Sequence, residues 1–256
     1  MKVKPSITEY SSRFIQRFPE KQVLIALSFF IGAVAAIVVY LFEAAVINIK
    51  NFVFGLYSSE GANYLLFVTP VMGIIIVTLF VKYFVKDDIS HGVTKVLKAI
   101  SQKSSKIKSH NTYSSMIAGA ITIGFGGSVG PEAPTVLTGS AIGSNFGKFF
   151  GLNHRQTTIL LGCGAAAALA AIFKAPITGV VFVLEVLLIE MAISSIIPLL
   201  IAAVTATMIT YVLHGSEPVF STILPPVPVT MIDIPFYLIL GVVCGLVSYY
   251  IIYSSG

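Results

Sequence analysis

The segment GGSVGPEAP, residues 126–134, places a single carboxylate, Glu132, in a break between two apolar stretches. An ionisable group inside a membrane segment costs about 2.5–3.5 kcal/mol at a helix centre, so it usually marks the path of an ion, a proton or a substrate. Pro131, followed by Glu132 and the apolar run 135–150, predicts a helix that starts here. Because free N–H groups at a helix N-terminus attract anions, the segment predicts an anion site with a built-in acid.

The same segment also spells the GxSxG pattern of serine hydrolases through Gly126, Ser128 and Gly130. In those enzymes the serine follows a strand and is completed by a later acid and a histidine. Here the flanks are apolar stretches, and the later histidines, His154 and His214, fall in predicted connections. A membrane serine hydrolase is therefore a remote alternative to an anion site.

The composition indicates a membrane protein that crosses the bilayer several times. Of the 256 residues, 56% are hydrophobic and 11% are charged, and the mean hydropathy is +0.92. The formal charge of +5 is concentrated outside the long apolar runs, unlike the charge of a soluble enzyme or a nucleic-acid-binding protein. We therefore expect an all-α membrane protein that is not an enzyme, has no nucleic-acid partner and is surrounded by the lipid bilayer.

Two apolar runs near the N-terminus, residues 23–49 and 64–80, are each close to the roughly 20 residues that a spanning helix needs. Five basic residues precede the first run, and the segment from Lys82 to Lys108 contains seven lysines, counting both ends. Two crossings return the chain to its starting side, which the positive-inside rule makes cytoplasmic. We predict a cytoplasmic N-terminal segment, residues 1–22, and a transmembrane domain over residues 23–256, in a bacterial-type cell membrane.

The middle of the chain, residues 115–213, is almost continuously apolar but repeatedly interrupted. The interruptions fall at residues 124–134, 151–156, 174–176 and 194–198. Several of the pieces between them are too short to cross a bilayer upright. Transporters use such broken helices to hold ions within the membrane, where protein or water satisfies the helix ends. We therefore predict tilted, broken helices around Glu132.

The two cysteines do not indicate a metal site or a disulfide. Cys163 and Cys244 both lie in apolar surroundings, and no histidine pair flanks them at the spacing of metal ligands. We expect both to pack as small hydrophobic side chains. The sequence therefore predicts no metal and no cofactor.

Three segments together resemble the CLC family of voltage-gated chloride channels and chloride/proton antiporters. Residues 126–143, GGSVGPEAPTVLTGSAIG, resemble the helix with the family's GREGP motif, and residues 169–185, LAAIFKAPITGVVFVLE, resemble its next signature. Residues 88–100, DISHGVTKVLKAI, resemble its GSGIP or GHGVP helix. The resemblance implies two inverted halves of tilted, incomplete helices, and a homodimer with one pore in each subunit. The chain resembles the first half and the opening helix of the second, residues 236–253, which suggests a fragment.

The resemblance assigns Glu132 as the external gating glutamate, which competes with chloride for a pore site and takes up the proton. Gly130, Pro131 and Ala133 then lie in the backbone site for the anion. Pro131 stands where the family usually has Arg or Lys, so one backbone N–H donor is absent. Ala133 replaces a glycine, so the backbone there can adopt fewer conformations. The alternative is that Glu132 only complements the dipole at a helix start.

The resemblance also places Ser90, His91 and Gly92 at the family's chloride-coordinating loop, with His91 in place of its serine. A histidine can donate a hydrogen bond to an anion or carry charge near neutral pH, so the site would be retuned toward pH dependence. The alternative is that His91 caps or packs at a helix end among lysines.

Glu185 and Val186 bear on the transport mechanism. Val186 stands where antiporters of the family with an internal proton-transfer glutamate carry that acid, while Glu185 precedes it. Neighbouring residues on a helix point about 100° apart, so Glu185 does not replace an acid at Val186, and we expect a structural role for Glu185. We expect Lys174 to satisfy helix-end carbonyls or to pair with an acid.

The predicted function is transport of an anion, chloride by resemblance, with a channel favoured over an antiporter that also moves protons. The alternative is a non-conducting half or an assembly partner, because the family's remaining pore contacts belong to the second half.

Overall fold

The described part of the chain is entirely helical. The structure, a computed structural model, describes residues 19–55, 65–87, 92–187, 193–215, 231 and 233–255. Within these ranges it contains nine α-helices, one π-helical turn and one 3₁₀ turn. The chain divides into two compact units, Met1–Glu217 and Pro218–Gly256. The predicted all-α class is confirmed.

Two apolar helices open the first unit. α1 (Glu20–Gly55) has 36 residues, and α2 (Leu65–Phe80) continues into a π-helical turn, Val81–Val85. Both apolar runs predicted as spans are therefore helical, and α1 extends into the polar flanks at both ends of its run. Among the described residues, four helices are long and apolar enough to cross a membrane, and these two supply the first pair.

Shorter helices follow: α3 (Gly92–Gln102), a 3₁₀ turn (Ser109–Thr112), α4 (Ser114–Gly124) and α5 (Glu132–Phe149). With 11 residues and a rise of about 1.5 Å per residue, α4 is roughly half as long as the hydrocarbon core is thick. The prediction of broken helices in this region is confirmed.

The first unit is completed by α6 (His154–Phe173), α7 (Pro176–Val186) and α8 (Ile193–His214). The breaks before α6 and before α7 were predicted. The predicted break at residues 194–198 is wrong, because α8 begins at Ile193 and contains Pro198. Proline near a helix start removes one intrahelical hydrogen bond, and neighbouring helices in a membrane protein compensate for that loss.

α6 is the centre of the first unit and packs against α5, α8, α1 and α7. Its core positions are mostly alanine and glycine, and Ala165, Ala166 and Ala167 are fully buried. A Cβ on Gly143 of α5 would collide with the carbonyl of Leu160 of α6. The backbones of α5 and α6 are therefore in direct contact, as small residues allow in membrane proteins.

The second unit contains α9 (Ile234–Ser255), which confirms the predicted last span as a helix of 22 residues. The helix begins at Ile234, so Pro235 occupies its second position. Proline is harmless there, because the first N–H groups of a helix have no intrahelical partner.

Candidate anion-binding site

The site is built around the start of α5. This helix begins at Glu132, with Pro131 as its N-cap residue, so the predicted helix start is confirmed. No side chain caps this end, and the N–H of Thr135 donates to the Pro131 carbonyl at 3.1 Å. Pro134 has no N–H, so Glu132 and Ala133 carry the N–H groups that a helix leaves without intrahelical partners.

The turn that leads into α5 depends on two glycines. Gly126 has a φ of +89°, and the N–H of Gly127 donates to the Thr122 carbonyl at 2.8 Å. A Cβ on Gly127 would lie 2.7 Å from that same carbonyl oxygen, so a larger residue does not fit. The turn follows α4, a helix, and therefore lacks the strand that the serine-hydrolase interpretation requires.

The N-terminal ends of α3 and α5 meet at Gly92 and Ala133. Gly92 is buried, and a Cβ on it would lie 2.6 Å from the carbonyl oxygen of Ala133. Two helix N-termini, each with a partial positive charge, are thereby brought to one place. Of the loop residues predicted to bind the anion, Gly92 lies at this contact, while Ser90 and His91 fall outside the described residues.

Glu132 precedes Ala133, and its carboxylate is turned back over Gly130 in the chain that leads into the helix. A Cβ on Gly130 would collide with the Glu132 carboxylate. The Glu132 side chain is exposed, and within the described ranges it makes no ion pair or hydrogen bond. The first turn of α5 also stabilises a carboxylate through the helix dipole, so this geometry fits both the gating role and the helix-start role.

Glu185 is not part of this arrangement. It is exposed one residue before the end of α7, and Val186, the last residue of that helix, is half-buried. α7 packs chiefly against α6 and α8. The described contacts therefore do not join Glu185 to the junction of α3 and α5.

A charged cluster that the sequence did not reveal fixes the position of α3. The Asp87 carboxylate lies 3.2 Å from Lys95 Nζ, 3.2 Å from Lys108 Nζ and 3.0 Å from His110 Nε2. Burial raises the pKa of Asp87, but hydrogen bonds and charges from Lys95 and Lys108 outweigh this and lower the pKa to about 2. The cluster ties the end of α2 to α3 and to the 3₁₀ turn.

A second polar cluster joins α1 and α8. Glu43 Oε2 lies 3.2 Å from His214 Nδ1, and the Tyr40 and His214 rings are 4.7 Å apart. Lys174 Nζ donates to the Gly215 carbonyl at 3.3 Å. The prediction that Lys174 satisfies helix-end carbonyls is therefore confirmed, at the end of α8.

Metal ligands do not gather in the described part of the chain. Within those residues, no group of three or more His, Cys, Asp or Glu side chains is placed to hold a metal ion. Cys163 is a buried free thiol, as expected, but Cys244 is exposed, so the expectation that both would be packed is wrong for Cys244.

Comparison with known proteins gives a family match and curated relatives. Residues 72–255 match the family model described as voltage gated chloride channel. The chloride channel protein CLC-f of Arabidopsis thaliana is 26% identical over 254 residues, covering 90% of this chain and 31% of that protein. The voltage-gated ClC-type chloride channel ClcB of Escherichia coli O81 (strain ED1a) is 29% identical over 130 residues, covering 51% of this chain and 31% of that protein. The chain thus spans about a third of the length of these relatives.

Solved structures show the same fold. A CLC-type fluoride/proton antiporter is 28% identical with a TM-score of 0.70, and the match covers 88% of this chain and 55% of that one. A slow cyanobacterial Cl⁻/H⁺ antiporter is 22% identical with a TM-score of 0.72, and the match covers 91% and 56%. The helical arrangement described above is therefore the arrangement of slightly more than half of such a structure.

Proposed function

The chain belongs to the voltage-gated chloride channel family, and on that premise we propose that the junction of α3 and α5 forms part of an anion pathway across a membrane. The observation that carries the proposal is the contact of Gly92 with Ala133, the residue that follows Glu132 at the start of α5. Two helix N-termini at one point supply the positive potential that an anion needs. Chloride is the proposed ion because the curated relatives are named as chloride channels; fluoride is the alternative, from the fluoride/proton antiporter.

In this proposal the anion accepts hydrogen bonds from the N–H groups of Glu132 and Ala133 and from the loop of Ser90, His91 and Gly92. The Glu132 carboxylate competes for the same positive region, because two negative charges a few ångströms apart repel each other strongly in a low-dielectric site. Protonation of Glu132 removes that competition and admits the anion. Gly130 leaves room for the carboxylate in its retracted position.

We favour a channel over a proton-coupled antiporter. A proton that crosses with an anion needs a second acid on the inner side, and the corresponding position is Val186. Glu185 lies next to it but faces a different direction on α7. Both channels and antiporters occur among the similar proteins, so the proposal rests on Val186 alone.

The assembly and orientation are also part of the proposal. We propose a homodimer because the chain resembles a family of dimers. We also propose a cytoplasmic N-terminus, which the lysine-rich segment from Lys82 to Lys108 supports. A non-conducting half or assembly partner is the second candidate; the match to CLC-f of Arabidopsis thaliana covers 31% of that protein.

The test is anion efflux from liposomes that contain the protein expressed from its complete reading frame. External pH is varied between about 4 and 8, a range that covers the ordinary titration of carboxyl groups and histidine. We expect efflux to depend on pH in the wild type and in Glu185→Gln, the matched control, and to lose that dependence in Glu132→Gln. An unchanged pH response in Glu132→Gln would contradict the gating role. Absence of efflux from every variant would favour the assembly partner.

A further inference from the structure

A cavity of about 350 Å³ lies at the end of the first unit where three candidate spans begin. α1 begins at Glu20, α6 begins at His154, and α8 begins at Ile193. Because the three spans start at the same end, the cavity lies at one edge of the membrane region. It is separate from the junction of α3 and α5.

The cavity combines a charged rim with an apolar wall. The rim carries Lys21, Arg155 and Glu20, all exposed. The wall includes Leu24 and Ile159, which are only 6% and 7% exposed. A ligand that matches both the charged rim and the apolar wall is an amphiphile, with an anionic end and an apolar end.

The charges indicate which amphiphile fits. Lys21 and Arg155 supply two positive charges and Glu20 supplies one negative charge, so one positive charge is left to be balanced. Arg155 is the second residue of α6, where the helix dipole adds partial positive charge. A lipid whose head group carries a net charge of −1 balances the rim, whereas a zwitterionic lipid leaves it positive. Guanidinium groups also bind phosphate oxygens in pairs.

We propose that this cavity binds one anionic phospholipid, with its phosphate at Arg155 and Lys21 and an acyl chain along Leu24 and Ile159. Basic pockets between the membrane ends of helices bind anionic head groups in this way. The volume lies near the lower end of the roughly 300–1,000 Å³ of ligand sites, which accommodates the head group and the start of a chain. Such a lipid would hold the starts of α1, α6 and α8 together.

The experiment uses the protein purified from its complete reading frame, in phosphatidylcholine nanodiscs. Phosphatidylglycerol is added, and native mass spectrometry counts the retained lipid while thermal unfolding reports stability. We expect one phosphatidylglycerol to be retained and the melting temperature to rise. Arg155→Gln and Lys21→Gln should each weaken retention at least tenfold. Lys98→Gln, which removes an exposed lysine of α3 outside the cavity, should retain the lipid like the wild type.

Three outcomes would overturn the proposal. Equal retention of phosphatidylcholine would show that the rim does not select charge. Equal binding of glycerol 3-phosphate, which has the phosphate without acyl chains, would show a phosphate site rather than a lipid site. Binding of phosphatidylglycerol only after deletion of residues 2–18 would show that this segment of the chain occupies the cavity. Melting curves in phosphatidylcholine alone establish that each variant is folded before its lipid retention is compared.

Discussion

Replacement of Gly92 by alanine tests the contact on which the proposed site depends. Gly92 is the first residue of α3, and alanine normally stabilises a helix relative to glycine, by about 1 kcal/mol in a helix interior. We expect the opposite sign here, because the new methyl group has no space. Gly55→Ala is the matched control: Gly55 also lies at a helix terminus, as the last residue of α1, and a Cβ there meets nothing within 4 Å.

The magnitude follows from the distances around Gly92. Its Cβ would lie 2.6 Å from the Ala133 carbonyl oxygen and 3.0 Å from the carbonyl carbon, where an ordinary contact begins at 3.4 Å. These are backbone atoms, which do not rotate away, so α3 must withdraw by about 0.8 Å. Overpacking of this kind costs about 1–3 kcal/mol. A displacement near 1 Å also lowers the activity of a positioned site by up to roughly 100-fold.

Two measurements separate folding from site geometry. Thermal unfolding of the purified protein should give a lower melting temperature for Gly92→Ala than for the wild type, and an equal or higher one for Gly55→Ala. Anion efflux from liposomes at a temperature well below both transitions should fall about tenfold or more for Gly92→Ala alone. A Gly92→Ala variant that melts at or above the wild-type temperature and conducts normally would refute the close contact between the two helix starts.

Three further predictions concern charge, topology and coupling. Asp87→Asn should lower the melting temperature by about 2–4 °C near pH 6, as expected for loss of a partly screened interaction worth about 1 kcal/mol. Because the pKa of Asp87 is lowered from 3.8 to about 2, its stabilisation is complete above pH 3.8 and lost toward pH 2, so the variant and the wild type should converge in acid. A cysteine introduced as Ser104→Cys, without Cys163 and Cys244, should resist an impermeant thiol reagent in intact cells and react after permeabilisation; reaction in intact cells would reverse the topology. A chloride gradient should drive no uphill proton uptake, since Val186 is not an acid. Robust proton uptake would contradict the channel proposal and indicate an antiporter.

The parts of the fold that local sequence controls were predictable. The spans at α1 and α2 follow from apolar runs of sufficient length, and the start of α5 follows from Pro131 and its glycine-rich approach. The break predicted at Pro198 was wrong because the effect of this proline depends on neighbouring helices rather than on the residues beside it in the sequence. The helix continues through Pro198 where a local rule predicts a break.

The parts of the site that depend on remote contacts were not predictable. The lysine run after α2 was visible, but nothing in one sequence pairs Asp87 with Lys95, Lys108 and His110. The close approach of Gly92 to Ala133 could not be predicted either, because the atoms that exclude a larger side chain at Gly92 belong to another helix. The resemblance to a family suggested roles for the segments that contain Gly92 and Ala133, and the structure shows that these two residues are in contact.

The direct backbone contact of α5 with α6 has a consequence for biogenesis. α5 is not among the four helices of the described residues that are long and apolar enough to cross a membrane. It buries hydroxyls that a bilayer alone would not satisfy: Ser144 donates to the Ser105 carbonyl at 2.7 Å and Thr138 to the Asn111 carbonyl at 3.3 Å. A translocon that reads hydrophobicity one segment at a time would not retain such a helix as it leaves the ribosome. The partners of these two hydroxyls precede α5 in the chain, whereas α6, the next segment to be synthesised, supplies the close backbone contact of Leu160 with Gly143. We therefore expect α5 to enter the bilayer together with α6, as one arm of a helical hairpin, and we expect a nascent chain halted before His154 to leave Glu132 outside the membrane.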